Sequence, residues 1–187
     1  MNEARIKPLD PPYSTPIAAA LDRIMPAGVP PLVLFRTVAN NERVFLRLMA
    51  SGLLDRGSLG MRERELVIDR TCFLCGSEYE WGVHVAFFGT RVGLTETEVR
   101  ELQSNDPSRA VFSEREHLLL ELCDQLHTRA TIGDALWTKL SATYTPEQLI
   151  ELVVLAGYYH TISFVTNALR LPLEPFASRF SAPRPSP

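Results

Sequence analysis

Cysteine, clustered positive charge and long apolar runs are all scarce in this chain, and each scarcity argues against a class of protein. The three cysteines, Cys72, Cys75 and Cys123, are too few and odd in number for the disulfide framework of a small secreted domain. Basic residues are scattered, and the formal net charge is -3. The sequence therefore gives no electrostatic reason to expect a nucleic-acid partner.

No apolar run is long enough to predict a membrane span. The longest one, LIELVVLAGYYHTISFV from Leu149, contains Glu151 and His160 and is shorter than the roughly 20 apolar residues that a span needs. It predicts a buried helix of a soluble protein. The N-terminus, MNEARIKPLDPPYSTP, lacks the apolar core of a signal peptide, so we expect a cytoplasmic protein without a membrane partner.

Proline is concentrated at the two ends of the chain, which suggests how the domain is bounded. We expect an extended N-terminal arm over residues 1–15 and a disordered proline-rich tail over residues 177–187. Residues 16–176 are sufficient for one domain with a sizeable core. The sequence thus predicts a single domain.

Helical spacing and helix-start signals run through almost the whole domain. Capping boxes, in which a side-chain oxygen and an acid or amide three residues later cap the first turn, are present at Thr95, Ser113 and Thr145. No segment shows the alternation typical of a sheet. The fold class is therefore all-α, with helices predicted near residues 16–25, 31–51, 62–74, 78–90, 95–103, 113–129, 133–143 and 146–169.

The stretch CFLCGSEYEWGVH, from Cys72 to His84, contains a C-x-x-C pair that could be redox-active or bind metal. A zinc site needs about four ligands, and no second C-x-x-C or H-x-x-x-H follows. A redox pair needs a thiolate of lowered pKa, whereas the end of the helix carrying Cys72 and Cys75 disfavours negative charge. We interpret both cysteines, and Cys123 as well, as small apolar packing residues and expect no metal site.

The same stretch also contains Ser77-x-x-Glu80 and Glu80-x-x-x-His84. The first pattern is typical of a helix cap, with Gly76 ending the preceding helix. The second places a carboxylate and an imidazole on one helix face, where they are either an acid–base pair or an ion pair without a catalytic role.

Aromatic residues around this pair favour a small-molecule pocket. The candidate substrate-binding residues are Tyr79, Trp81, Phe88 and His160, the last of which lies in the long apolar helix. A core hydrogen bond is the alternative explanation for His160.

Three segments resemble the carboxymuconolactone decarboxylase-like family, which includes alkylhydroperoxidase D. They are RERELVIDRT from Arg62, SEYEWGVH from Ser77 and GLTETEV from Gly93, and AGYYHTISFVTNALRLPLE from Ala156 is similar to the decarboxylase-like branch. The resemblance covers roughly residues 30–175. It implies an alkylhydroperoxidase D-like helical bundle that assembles as a homo-oligomer, as a trimer or a hexamer.

The resemblance also implies roles for individual residues. In the redox branch, a C-x-x-C pair is followed after four residues by His and preceded by Glu twelve residues upstream. Aligned on His84, the two thiol positions are Ser77 and Glu80, and the upstream acid is Glu65. Cys72 and Cys75 are out of register with that pattern.

The remaining polar set resembles that of the decarboxylase-like branch, which needs no cofactor. The resemblance implies that His84 transfers a proton, that Glu80 orients and charge-balances it, and that Glu65 completes the relay. Ser77 would hydrogen-bond the substrate or the helix end. We therefore expect a cofactor-independent lyase or proton-transfer enzyme for a small carboxylated or lactone-like molecule.

Two alternatives remain open at this point. One is a peroxidase-related antioxidant protein that uses Cys72 and Cys75. The other is a non-catalytic oligomeric interaction protein in which the polar residues serve only as a cap and an ion pair.

Overall fold

The computed structural model describes residues 4–108 and 110–181 and confirms the all-α class, because its regular elements are all helical. The helices are α1 (Thr15–Ile24), α2 (Val33–Val38), α3 (Glu42–Ala50), α4 (Met61–Leu74), α5 (Glu78–His84), α6 (Glu96–Glu101), α7 (Glu114–Arg129), α8 (Asp134–Thr143) and α9 (Pro146–Ala168). A π-helical turn (Val85–Gly89) and a short 3₁₀ turn (Thr90–Val92) continue from α5.

Capping residues set the start of several helices, as predicted. Thr95, Ser113 and Thr145 each accept a hydrogen bond from the backbone N–H three residues later, and the acid or amide at that position bonds back. These reciprocal bonds satisfy backbone donors that the first helical turn leaves without partners. The predicted capping boxes before α6, α7 and α9 are thereby confirmed.

The single helix predicted over residues 31–51 is wrong, because the segment forms two helices. The break falls at two asparagines between Val38 and Glu42. Asn41 Oδ1 accepts from Val44 N–H at 3.2 Å and caps α3, while the Asn40 amide donates to Lys7 O. Such side-chain bonds to the backbone compete with a continuous helix, which explains the interruption.

The helix predicted over residues 78–90 also differs from the observed one, because regular α-helix ends at His84. The chain then widens into the π-helical turn Val85–Gly89. Such turns are rare in proteins, and many of those that occur are at functional sites. This turn carries Phe87 and Phe88, both of which line the main cavity.

Helix α4 is the centre of the fold. Its residues from Arg64 to Phe73 are all buried, and it packs against α5, α7 and α9. One apolar core lies between α4, α7, α8 and α9, and a second joins α1, α2 and α3 to α5 and the C-terminal half of α9. Residues of α4, α5 and α9 that face the boundary between these cores form the candidate site.

Helix α9 is the one described helix that is long and apolar enough to cross a membrane, and 44% of that stretch is buried within the protein. Leu152, Leu155 and Tyr159 on its inner side are each at most 1% exposed and belong to the core. This packing is that of a core helix. A cytoplasmic location stays a prediction.

Both terminal segments contact the helices where the structure describes them. Arg5 N–H donates to Leu169 O, which holds the N-terminal arm against the end of α9. Residues 177–181 differ from the expected disordered tail, since Ala177 is buried and Phe180 packs against Trp81. Residues 177–181 contain no proline, and their apolar contacts hold them against the domain. Residues 1–3 and 182–187 of the predicted arm and tail lie outside the described residues.

Candidate active site

The end of α4 and the start of α5 place the polar residues of the site in register. Gly76, with φ of 66°, ends α4: its N–H bonds to Phe73 O, and Ser77 N–H bonds to Cys72 O. These two bonds form a Schellman motif, which reverses the chain within a few residues. Helix α5 therefore begins immediately at Glu78 and lies against α4.

Ser77 is a structural residue in this arrangement. Its hydroxyl lies 2.8 Å from Thr166 Oγ1 and accepts from Glu80 N–H at 3.4 Å, so it caps α5 and ties it to α9. Ser77 is fully buried and does not line the cavity. Of its two expected roles, the structure places it at the helix end. The capping box is only half formed, because the Glu80 carboxylate points toward His84 instead.

His84 is the hub of the site and contacts residues of three helices. Its Nδ1 lies 2.7 Å from Glu65 Oε2 on α4, and its Nε2 lies 3.0 Å from the Tyr159 hydroxyl on α9. Glu80, one turn earlier on α5, places Oε1 3.5 Å from the same Nε2. The fold thus brings together the predicted residues Glu65, Glu80 and His84. All three are buried.

The charges around His84 favour its protonated form. Burial by itself lowers the pKa of His84, but the carboxylates of Glu65 and Glu80 outweigh it and raise the pKa to about 10. An imidazolium at neutral pH donates from both ring nitrogens. Nδ1–H then donates to Glu65, and Nε2–H is directed toward Tyr159 and Glu80.

Burial favours the uncharged form of two further groups near this cluster. Burial, followed by the charge of Glu65, raises the pKa of Asp69 well above its usual range, although His84 opposes this. Burial and the charges of Glu80 and Glu65 likewise raise the pKa of the Tyr159 hydroxyl. Tyr159 is therefore a neutral donor and acceptor next to the imidazole.

Glu80 has a carboxylate oxygen without a hydrogen-bond donor. Among the residues that the structure describes, no group donates to its buried Oε2. Leaving a buried acceptor unsatisfied is costly unless a ligand or a proton meets it. Because Glu80 lines the cavity, this oxygen marks a position at which a bound molecule could be recognised.

A cavity of about 630 Å³ opens next to Glu80 and His84. Its wall is largely apolar and its mouth carries charged residues. The wall includes Leu34, Val83, Phe87, Phe88, Tyr158 and Ile162. Three charged lining residues, Arg23, Asp55 and Arg91, are exposed and therefore lie toward the mouth. The volume suits a small organic molecule. Arg91 lies over the ring of Phe88, with the guanidinium carbon 5.8 Å from the ring centroid.

Of the four predicted substrate-binding residues, only Phe88 lines the cavity. Tyr79 is turned away and donates to Glu174 at 2.6 Å, while it accepts from Leu34 N–H. Trp81 is buried in the other core beneath Phe180. Since α5 lies between two cores, only one of its faces can meet the cavity, and these two side chains are on the others.

His160 is also absent from the cavity. Its Nδ1 bonds to Ala156 O at 2.9 Å, and its ring lies beside His127, on a different face of α9 from Tyr159. The hydrogen bond expected as the alternative for His160 is thus present. The neighbouring residue in the sequence, Tyr159, is the one that contacts His84.

Tyr159, Tyr158 and Arg91 are the site residues that sequence reasoning missed. The pair of tyrosines in the apolar helix was the available signal, because a buried Tyr usually bonds through its hydroxyl. Which of three adjacent residues, Tyr158, Tyr159 or His160, faces the imidazole depends on the rotation of α9 about its axis. That rotation is set by packing.

The cysteines do not form part of the cavity wall, and none forms a disulfide in the structure. Cys72 is fully buried, and burial together with the charge of Glu80 raises the pKa of its thiol well above the usual range. Burial also raises the pKa of Cys123 to about 12. Both thiols are therefore poorly suited to act as thiolate nucleophiles.

Residues 42–110 match the carboxymuconolactone decarboxylase family. That segment contains Glu65, Ser77, Glu80 and His84, so the family resemblance is confirmed for the part of the chain that supplies most of the site. Tyr159 lies outside it. No curated protein sequence significantly matches the chain.

Solved structures confirm the predicted fold over nearly the whole chain. A peroxidase-related protein from Silicibacter sp. TM1040 superimposes with a TM-score of 0.78 at 14% identity, covering 94% of this chain and 95% of that one. The debrominase Bmp8, solved with 2,3,4-tribromopyrrole, gives a TM-score of 0.70 at 14% identity and covers 94% of each chain.

A protein from Agrobacterium tumefaciens named for the antioxidant defence protein AhpD gives a TM-score of 0.58 at 21% identity, covering 75% of this chain and 90% of that one. At such identities these likenesses show the fold alone. The chain therefore has the alkylhydroperoxidase D-like helical fold as a single domain, and its residues 42–110 match the carboxymuconolactone decarboxylase family.

Proposed function

We propose that the protein is a cofactor-independent enzyme that transfers a proton to or from carbon in a small carboxylated or lactone-like molecule. The observation that carries this proposal is the position of His84. It is a buried imidazole, fixed by Glu65 on one nitrogen, whose other nitrogen faces Tyr159 and Glu80 at the wall of a 630 Å³ cavity. Decarboxylation is the reaction that we favour, in accordance with the family segment.

His84 is suited to act as the acid. With a pKa raised to about 10, it holds a proton at neutral pH and can give it to a strongly basic carbon. Glu65 stabilises the imidazolium before transfer. Because Glu65 accepts the hydrogen bond from Nδ1–H, that proton is not the one given to the substrate. The proton available to the cavity is consequently the one on Nε2.

The cavity supports a substrate with an apolar body and an anionic end. Phe87, Phe88 and Ile162 provide apolar contact, while Arg23 and Arg91 lie toward the mouth. A guanidinium can bind a carboxylate through two parallel hydrogen bonds. The anionic end would then lie at the mouth and the reacting carbon near His84.

In the proposed decarboxylation, the C–C bond to the leaving carboxylate breaks and releases CO₂. The electron pair moves into an adjacent unsaturated carbonyl, giving an enolate. His84 Nε2 donates its proton to the enolate carbon, and the neutral imidazole regains a proton from solvent afterwards. Positioning in a largely apolar cavity supplies the part of the rate enhancement that acid catalysis, typically 10²–10⁴-fold, does not.

The test is a panel of unsaturated lactone acids and β-keto acids, assayed for CO₂ release and, in D₂O, for one deuterium at the carbon that lost the carboxylate. We expect turnover by the wild type and a fall of about 10²-fold or more in kcat for His84→Gln. His117→Gln, which removes a histidine remote from the cavity, is the matched control.

Two outcomes would contradict this proposal. Equal turnover by wild type and His84→Gln would remove His84 from the acid role. Deuterium incorporation without CO₂ release would replace decarboxylation by isomerisation while leaving the proton-transfer role intact. Because His84→Gln leaves the cavity size nearly unchanged, binding of the substrate should persist.

The antioxidant alternative gains little support from the cysteines, since the thiol of Cys72 is buried with a raised pKa. Thiol titration before and after peroxide treatment distinguishes the antioxidant protein from the proton-transfer enzyme. Rapid formation of a Cys72–Cys75 disulfide would favour the peroxidase, whereas thiols that stay reduced would exclude it.

We also propose that the protein is a homo-oligomer, with α9 at the interface. Ile150, Val154 and Phe164 are 68%, 50% and 65% exposed and follow one another along one side of this helix. Light scattering after size-exclusion chromatography should give a trimer or a hexamer for the wild type. Ile150→Glu combined with Val154→Glu should give the monomer mass, and an unchanged mass would place the interface elsewhere.

A further inference from the structure

We propose that Cys75, His127 and His160 form a Zn²⁺ site, separate from the cavity. Cys75 caps the end of α4, His127 is in α7 and His160 is in α9. Their ligand atoms all lie within 4.8 Å of one another. None of the three lines the cavity, whereas Tyr159, the residue before His160 on α9, does.

The distances are close to those of a zinc centre. Cys75 Sγ lies 3.7 Å from His127 Nδ1, and His127 Nδ1 lies 3.1 Å from His160 Nε2. Around a tetrahedral Zn²⁺, with Zn–N of about 2.0–2.1 Å and Zn–S of about 2.3 Å, neighbouring ligand atoms are roughly 3.4–3.6 Å apart. The ligand atoms of Cys75 and His160 lie within 4.8 Å of each other, so zinc binding requires them to move closer by at most about 1.3 Å.

The hydrogen bond on the far side of His160 prepares it as a ligand. A carbonyl only accepts, so the 2.9 Å bond to Ala156 O places the hydrogen on Nδ1. Nε2 of the neutral ring then carries a lone pair directed toward His127. A backbone carbonyl behind a ligating histidine is the usual way in which its tautomer and orientation are fixed.

The surrounding backbone also favours a cation. Cys75 caps the C-terminal end of α4, and His127 lies in the last turn of α7. Helix C-termini carry partial negative charge, which stabilises a bound cation and opposes an isolated thiolate. A metal ion bound to the Cys75 thiolate offsets its negative charge, so the complex is compatible with the helix C-terminus.

Two histidines and one thiolate suit zinc, with a water in the fourth position. His127 is exposed, and Cys75 and His160 are half-buried, so the ion has access from solvent. Bound zinc would join α4, α7 and α9. Glu65 is on α4 and Tyr159 is on α9, so the metal would stabilise the helices that form the candidate active site without contacting its residues.

The test uses full-length protein without a histidine tag, reduced and stripped of metal, titrated with Zn²⁺ against a chromophoric chelator. We expect one equivalent bound by the wild type, and an affinity at least about 10-fold weaker in Cys75→Ser, His127→Gln and His160→Gln. His117→Gln and Cys72→Ala are the matched controls and should bind zinc as the wild type does.

Two further readouts do not depend on activity. Zinc should protect Cys75 of the wild type from alkylation, measured by mass spectrometry, and this protection should be lost in His127→Gln. Zinc should also raise the Tm of the wild type but not that of the variants. The absence of one-equivalent binding by the wild type, or binding that survives all three ligand substitutions, would overturn the proposal.

Discussion

Replacing His84 by glutamine should remove a large part of the pH dependence of stability between pH 7 and pH 10. In an unfolded chain, histidine has a pKa of about 6.5. In the folded protein, burial lowers the pKa of His84, but Glu65 and Glu80 outweigh burial and raise it to about 10. The folded state therefore binds this proton more tightly than the unfolded chain does.

The sign and size of the effect follow from linkage. A group with a raised pKa in the folded state stabilises the fold fully below the unfolded pKa, and this stabilisation is lost as the pH rises through the folded pKa. For a folded pKa of about 10, the loss between pH 7 and pH 10 is roughly 3–4 kcal/mol. The contribution of His84 to the free energy of unfolding is therefore lost at alkaline pH.

The assay is urea unfolding at intervals from pH 7 to pH 10 for the wild type and His84→Gln. Other alkaline titrations occur in both proteins, so the difference between the two profiles isolates His84. NMR titration of its ring protons should give the elevated pKa directly, and Glu65→Gln should lower it. Parallel profiles for wild type and His84→Gln would refute the reasoning, and His117→Gln should reproduce the wild-type profile.

Three substitutions test the framework by chemical denaturation. Gly82→Ala would place a Cβ 2.3 Å from Ser178 O, so it should cost roughly 1–3 kcal/mol and accelerate hydrogen exchange in residues 177–181, and unchanged exchange would contradict this contact. Phe45→Ala, at a fully buried position, should cost roughly 3–5 kcal/mol, and a cost below 1 kcal/mol would contradict its core role. Ser77→Ala removes the bond to Thr166 and should cost roughly 1–2 kcal/mol, whereas an unchanged stability would remove Ser77 from the cap.

Local signals predicted the helices well where side chains cap the backbone. The starts of α6, α7 and α9 follow from Thr95, Ser113 and Thr145, because these bonds span only three residues. The interruption between α2 and α3 was missed, although two successive asparagines lie there. Asn41 caps α3 locally, but Asn40 bonds to Lys7 in the distant N-terminal arm, which no local pattern contains.

The proximity of Glu80 and His84 could be predicted from the sequence because the two residues are one helical turn apart. Glu65 was assigned through the family resemblance, and the structure places it 2.7 Å from His84. Tyr159 could not be assigned, because it is 75 residues from its partner and only packing of α9 determines which side faces α5. Tyr79 and Trp81 were wrongly assigned to the cavity, because only packing determines which face of α5 meets it.

The sequence by itself determined the helical class, most helix boundaries and the chemical character of the stretch between Cys72 and His84. These properties depend on periodicity and on contacts within a turn or two. Tertiary structure alone decided which side chains share the cavity. It also brought His127 and His160 to Cys75, where local spacing had indicated no metal ligands. The physical reason is that ligand sets and cavities require side chains from different helices, and their mutual orientation is fixed by core packing rather than by the spacing along the chain.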